Sequence, residues 1–248
     1  MFAIYNNFAY VYDKLTLDID YSKWADYVEQ IIRKNNPEAR MILELGCGTG
    51  SFGIEMAKRG YDMICLDLSS DMLDCASEKA KSDNLDILFL NQDMSSFELY
   101  GTVDVIVCLL DSFNYLTKQE QVRKMFRLVH NYLNPGGLFI FDINTQYKFE
   151  NTLSNNLFYE IGEEVTYLWE NEYNSKTKKA RFDLTFFIKE GSLYKRFDET
   201  HFEKAYSNEE IMEFINKSEL KILAVYENLK FKKPSVKSER NFYVCKKD

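Results

Sequence analysis

The chain has 248 residues, with 31 Lys+Arg against 39 Asp+Glu for a formal charge of −8, and is 46% hydrophobic and 28% charged. That balance excludes a disordered or fibrous chain, and the length suffices for a large core without disulfide or metal staples. The acidic excess lies mostly in residues 1–146 and argues against nucleic acid as a partner, because backbone recognition runs on Lys and Arg.

The N-terminus lacks the basic region and cleavage site of a signal peptide. Trp24, Val28, Ile31 and Ile32 recur at helical spacing and predict a helix over residues 21–35, closed by Pro37. MILEL at 41–45 is a short buried strand, and glycines follow at once. A helix over 52–59 ends at Gly60, a strand covers 61–69, a helix 71–82 and a strand 85–93. Residues 103–110 are apolar enough to be covered on both faces, as parallel strands are. Thr117 and Glu120 form a capping box ahead of a helix over 121–133, and a turn at 134–137 leads into a strand at 138–145. Strand and helix alternate throughout, which is a doubly wound α/β sheet.

From residue 147 the period changes. Residues 165–173, 181–190 and 192–202 alternate or are rich in aromatics and predict an antiparallel meander. Ser207 and Glu210 form a second capping box, opening a helix through Lys217. Closing strands at 220–229 and 240–247 flank a basic loop, whose Lys230, Lys232, Lys233, Lys237 and Arg240 read as a solvated hairpin tip. The domain expectation is therefore residues 1–146 and 207–248 as one α/β unit, split around an inserted antiparallel β subdomain at 147–206. Five cysteines without a CxxC pair and two histidines give a metal too few ligands, so no metal site is expected. No run of about 18 apolar residues marks a membrane span. A cytoplasmic protein with no membrane partner is the expectation.

The sharpest signal is Glu44-Leu-Gly-Cys-Gly-Thr-Gly50, directly after a strand and opening a helix. Glycines let backbone approach a ligand, and the helix start presents unpaired N–H groups. Gly48 to Gly53 also satisfies GxGxxG, compatible with a dinucleotide. Yet Glu44 precedes the loop and no basic residue offsets it, which suits a ligand with a cationic centre and one carboxylate better than pyrophosphate.

The stretch ILELGCGTG resembles the first motif of the class I S-adenosylmethionine-dependent methyltransferases. The resemblance implies that Gly46, Cys47 and Gly48, with Gly50 in the same loop, lie against the methionine half of the cofactor, with Glu44 orienting the loop near its amine. It places Asp67 on the ribose hydroxyls, Leu68 on the adenine, Asp93 on the adenine amine, and Met94 beside it. It implies a seven-stranded sheet of order 3-2-1-4-5-7-6 with strand 7 antiparallel. The insert resembles that of small-molecule N-methyltransferases acting on amino acids and amino sugars. Phe8-Ala-Tyr-Val-Tyr-Asp13 and Asp111-Ser-Phe-Asn-Tyr-Leu116 are similar to stretches of bacterial methyltransferases of nearly this length.

Methyl transfer from a sulfonium needs a held nucleophile and a dry pocket more than elaborate side-chain chemistry. Candidates therefore lie at the carboxyl ends of the strands: Asp111, Ser112 and Asn114 after the fourth, Asp142 and Asn144 at the fifth, with Tyr5 and Tyr12 from the N-terminal segment. Each also reads as loop capping or aromatic packing. His201 reads either as a general base, since imidazole titrates near neutrality, or as a strand histidine. The main reading is a methyltransferase transferring to N or O of a small molecule. Alternatives are an RNA or protein methyltransferase, a non-catalytic cofactor-binding protein, and a dehydrogenase.

Overall fold

Apolar side chains alternate along the central strands, and this alternation builds the two-faced core. The computed structural model describes Ala9, residues 11–13, Thr16 and residues 18–248; Tyr5 and Phe8 lie outside them. In chain order the described elements begin with α1 (Tyr21–Asn35), β1 (Met41–Leu45), α2 (Ser51–Lys58), β2 (Asp62–Asp67), α3 (Ser70–Ser82) and β3 (Ile87–Asn91). Next come β4 (Val103–Cys108), α4 (Gln119–Tyr132) and β5 (Leu133–Asn144). A helical turn over 146–153 leads to β6 (Leu157–Ile161), β7 (Val165–Asn174), β8 (Lys179–Glu190) and β9 (Leu193–Lys204). The chain closes with α5 (Asn208–Lys217), β10 (Leu220–Glu227) and β11 (Arg240–Lys247).

The larger sheet runs β10-β11-β5-β4-β1-β2-β3, with β11 antiparallel to both its neighbours and the β5-β4-β1-β2-β3 pairs parallel. This is the order 3-2-1-4-5-7-6 expected from sequence. Ile42, Val105, Val107 and Ile140 point to one face, where they meet Trp24, Val28 and Ile31 of α1 and Phe52 and Met56 of α2. Leu43, Leu45, Ile106, Phe139 and Phe141 point to the other, against Val122 and Phe126 of α4 and Phe214 of α5. Period-two alternation thus feeds both helical layers. The aromatic abundance of the chain is largely a core feature. Phe141 stacks on Phe139, Phe113 and Tyr243 with ring centroids 4.8, 5.0 and 5.0 Å apart.

The second sheet is antiparallel, in the order β6-β7-β8-β9. Its Phe182 and Ala180 pack with Phe149 and Leu153 of the preceding turn. The sequence pattern missed β6, whose residues carry no alternation of buried and exposed positions. Two local expectations need correction. The turn at 134–137 is a bulge within β5, where pairing with β4 jumps from Val103–Leu133 to Val105–Leu138. The helix expected at 121–133 starts at Gln119 after Lys118, whose N–H donates to the Gln121 side chain at 3.2 Å, so Thr117 is not its cap. The Ser207–Glu210 box forms as expected, with reciprocal bonds of 3.0 and 3.2 Å. Among the described residues, no helix is long and apolar enough to cross a membrane.

One glycine fixes how closely α2 lies on the sheet. A Cβ on Gly53 would stand 2.5 Å from the Cys65 sulfur and 2.9 Å from Glu44 Oε2. Gly53→Ala should therefore destabilise the fold by about 1–2 kcal/mol, overpacking outweighing the better helix propensity of alanine. Urea unfolding reads this directly, and a midpoint at or above that of the wild type would contradict the close packing.

Candidate active site

β1 runs straight into a tight loop, where Gly46, Gly48 and Gly50 have φ of +69°, +53° and +74°. L-residues avoid that region, so the glycines are required by geometry. Ser112, in the 3-10 turn after β4, donates its hydroxyl to the Gly46 carbonyl at 3.1 Å. Its Cβ lies 2.9 Å from where a Gly46 Cβ would stand, and Met94 Cε lies 3.2 Å away. The N–H groups of Gly46 and Cys47 donate to the Leu66 carbonyl at 2.8 and 2.9 Å, tying the loop to β2.

Asp67 ends β2 and accepts the Gly48 N–H at 2.7 Å on one oxygen and the Ser69 N–H at 2.9 Å on the other. Each oxygen keeps a lone pair for a ligand. Burial raises the Asp67 pKa, and the backbone bonds oppose that rise. Asn91 donates to the Asp67 and Leu68 carbonyls at 3.1 and 2.8 Å, fixing the strand end. Leu68 is left 72% exposed as an apolar shelf beside Asp67. Beyond β3, Asp93 accepts the Ser95 N–H at 2.7 Å. Glu44 is buried under α2, and burial pushes its pKa up to about 8. Cys47 is buried too, and desolvation holds its thiol well above the usual range, so it is no nucleophile. Glu44, Gly46, Cys47, Gly48, Gly50, Asp67, Leu68, Asp93 and Met94 thus gather at the carboxyl ends of β1, β2 and β3.

Residues 11–13 are pinned over this loop through Asp13, which binds Lys79 at 2.7 Å and accepts from Thr49. Tyr12 then stands 3.8 Å from a Cβ built on Gly48. Desolvation raises the Tyr12 phenol above its ordinary range, helped by Tyr21 and by the Asp111, Asp67 and Asp13 carboxylates. Tyr12 therefore keeps its proton.

A cavity of about 730 Å³ continues from Tyr12 between the ends of β4 and β5 and the second sheet. Tyr12, Asp111, Tyr115, His201, Glu203 and Arg240 are among its walls. His201 meets Tyr115 edge to face at 5.9 Å, and burial lowers its pKa, leaving the imidazole neutral near pH 7. Leu110 and Asp111 both have positive φ, +55° and +57°, a conformation that costs energy in non-glycine residues. Buried Asp142 holds them there, accepting the Leu110 N–H at 2.7 Å and the Asp111 N–H at 3.1 Å. Arg240 then binds Asp111 at 2.7 Å and Asp142 as well. Burial works against the guanidinium charge, but the two carboxylates outweigh it and keep it protonated.

Asn114 is fully buried, and its amide is committed to backbone. It accepts from Asn144 N–H at 3.0 Å and donates to the Asn144 and Lys204 carbonyls at 3.2 and 2.9 Å. It joins the 3-10 turn to the ends of β5 and β9.

The family described as "Methyltransferase domain" matches residues 42–137, the stretch from β1 to the bulge in β5. A crystallised S-adenosylmethionine-dependent methyltransferase from Clostridium acetobutylicum ATCC 824 is 37% identical with a TM-score of 0.90, over 98% of each chain. The Bacillus subtilis (strain 168) protein named "Putative methyltransferase YqeM" is 34% identical over 98% of this chain and 97% of its own. The chain belongs to the S-adenosylmethionine-dependent methyltransferases. A further relative is the dTDP-3-amino-3,4,6-trideoxy-alpha-D-glucopyranose N,N-dimethyltransferase of Streptomyces venezuelae, 29% identical over 49% of each chain.

As a methyltransferase the protein uses S-adenosylmethionine as its methyl donor, and the residues present suit that molecule. The glycine loop leaves backbone open, Asp67 keeps two free lone pairs, and Leu68 offers an exposed apolar face. The reading of Arg240 as part of a solvated tip is overturned: Lys230, Lys232, Lys233 and Lys237 are exposed, whereas Arg240 opens β11 inside the carboxylate network. Glu203, absent from the candidates drawn from sequence, is 2% exposed and lines the cavity. A signal existed, since Glu203 is two residues from His201 on one strand and so shares its face.

Proposed function

We propose that this methyltransferase acts on a small molecule, transferring the methyl group to a nitrogen or oxygen held in the cavity between the two sheets. The carrying observation is the cavity itself: about 730 Å³, walled by residues from the N-terminal segment, the strand ends and the antiparallel sheet. That volume is typical of small-ligand pockets, and it suits a sugar- or amino-acid-sized acceptor better than a nucleic acid or a folded protein. The name of the Streptomyces venezuelae relative, an aminosugar N,N-dimethyltransferase, agrees with such an acceptor. In this reading residues 147–206 are a substrate lid inserted into a cofactor domain made of residues 1–146 and 207–248.

S-adenosylmethionine supplies an electrophilic methyl on a sulfonium sulfur. Gly46, Cys47, Gly48 and Gly50 receive its methionine half, with Glu44 beneath the loop near the amine. Asp67 takes the ribose hydroxyls, Leu68 packs on the adenine, and Asp93 and Met94 close on its edge. Tyr12, protonated and over Gly48, donates a hydrogen bond at the mouth between cofactor and acceptor. Asp111, fixed by Arg240, orients the acceptor, and Asn114 acts one step removed, by holding its turn against β5 and β9. Where the acceptor is a hydroxyl, His201 takes its proton, because burial lowers its pKa and leaves the imidazole neutral near pH 7.

With a hydroxyl acceptor the contribution of His201 is lost as pH falls through its lowered pKa, so the acid limb of turnover lies below about pH 6.5. His201→Ala should remove that limb and lower turnover by about tenfold to a hundredfold; an unchanged pH profile would leave His201 as a packing residue. Substrate class is tested by release of S-adenosylhomocysteine with the low-molecular-mass fraction of a bacterial lysate, against bulk RNA and the protein fraction. Turnover should follow the small-molecule fraction. Turnover with RNA or protein alone would overturn the proposal.

A further inference from the structure

His201 is not the most deeply placed polar group in the cavity. Glu203, on the same face of β9, is 2% exposed and lines the same space. Its Oε2 is buried and has no hydrogen-bond partner among the described residues. An unpaired buried carboxylate oxygen is costly, and a fold that keeps one beside a cavity keeps it for a ligand. Its surroundings point to the kind of ligand. Asn144 hydrogen-bonds the carboxyl group from β5, while Lys148 donates to Asn144 Oδ1 at 3.0 Å and does not reach Glu203 itself. Arg240 from β11 is occupied by Asp111 and Asp142. The rest of the cavity near the second sheet is aromatic, with Tyr115, Tyr167, Trp169 and Phe182 among its walls. A buried carboxylate with a free oxygen among aromatic faces, in a cavity that Asp18, Asp111 and Glu160 also line, is a receptor for a basic amine, through charge and through the negative ring faces.

We propose that Glu203 is the acceptor anchor of the site, its free oxygen receiving the nitrogen of a basic aliphatic amine and taking one proton from it before methyl transfer. This deepens the small-molecule reading and rests on it. The amine enters as an ammonium ion; one N–H bond breaks, the proton passes to Glu203 Oε2, and the nitrogen lone pair is freed. That pair forms the N–C bond to the methyl group as the C–S bond breaks, and the sulfur keeps the bonding electrons. The methylated product leaves as an ammonium ion and Glu203 returns its proton to solvent.

Desolvation, then the Asp111 charge, holds the Glu203 carboxyl well above the usual range, with Lys148, Arg240 and the Asn144 bond acting the other way. This brings its proton affinity towards that of an amine, the condition for easy transfer. His201, on the same strand, stays neutral and does not compete for the ammonium.

The test uses the full chain saturated with S-adenosylhomocysteine and matched probes: D-glucosamine against D-glucose, and benzylamine against benzyl alcohol. Calorimetric titration should show binding of at least one amine and a preference over its alcohol partner of about tenfold or more. Glu203→Gln, which keeps the shape and removes the charge, should abolish that preference while leaving S-adenosylhomocysteine affinity unchanged. Glu203→Asp should retain part of it, and serves in place of Glu203→Gln if that variant fails to bind S-adenosylhomocysteine. No amine binding by the wild type, or an amine preference that survives Glu203→Gln, would overturn the proposal. Failure of the wild type to bind S-adenosylhomocysteine would instead strike the cofactor reading beneath it.

Discussion

Arg240→Met should lower stability by about 3–5 kcal/mol at pH 7, the largest effect expected of any single replacement in the strand-end network. Arg240 is the cation facing both Asp142, which is fully buried, and Asp111 at 2.7 Å. Methionine fills similar space but leaves two carboxylates close together, one of them without access to water. Burial already raises the Asp142 pKa, against the pull of Arg240; without the guanidinium it rises further. A carboxyl with a raised folded-state pKa contributes stability that is present at low pH and lost as pH rises. The deficit of Arg240→Met should therefore shrink between pH 7 and about pH 5, as the folded variant takes up a proton. Urea unfolding at the two pH values reads both parts. A deficit under about 1 kcal/mol at pH 7 would contradict the network as described.

Asp67→Ala should weaken S-adenosylhomocysteine binding by about 1–3 kcal/mol, roughly fivefold to 150-fold in Kd. The replacement removes the acceptor of two ribose hydroxyls. It also strips the Gly48 and Ser69 N–H groups of their partner, so the glycine loop loses part of its fixed shape. Asp67→Asn, which keeps one carbonyl acceptor, should fall between the two. Calorimetry with S-adenosylhomocysteine separates them, and wild-type affinity in Asp67→Ala would remove Asp67 from the ribose.

The cofactor half of the molecule was legible because its requirements are local. A glycine run after a strand announces a loop with positive φ at Gly46, Gly48 and Gly50, and continuous apolar runs announce strands buried on both faces. The acceptor side depends on contacts far apart in sequence. Arg240 looked like one more charge beside Lys230, Lys232, Lys233 and Lys237, and only the antiparallel pairing of β11 with β5 brings it to Asp142 and Asp111. Glu203 falls just past the strand expected over 192–202, and only the cavity gives that side of β9 an inner face. Asn114, in a polar loop, looked available for chemistry, but its partners come from residues 144 and 204 and consume its amide. The β6 strand, with no alternation and little burial, left no trace in the pattern.

A crystal structure of the protein with S-adenosylhomocysteine bound tests the central claim most directly. The account predicts the ribose hydroxyls on Asp67, the adenine on Leu68, and the sulfur facing the cavity walled by Tyr12, His201 and Glu203. A ligand seated instead in the groove between α2 and α3, beside Ser51, Cys75 and Lys79, or a sulfur turned away from the cavity, would contradict it.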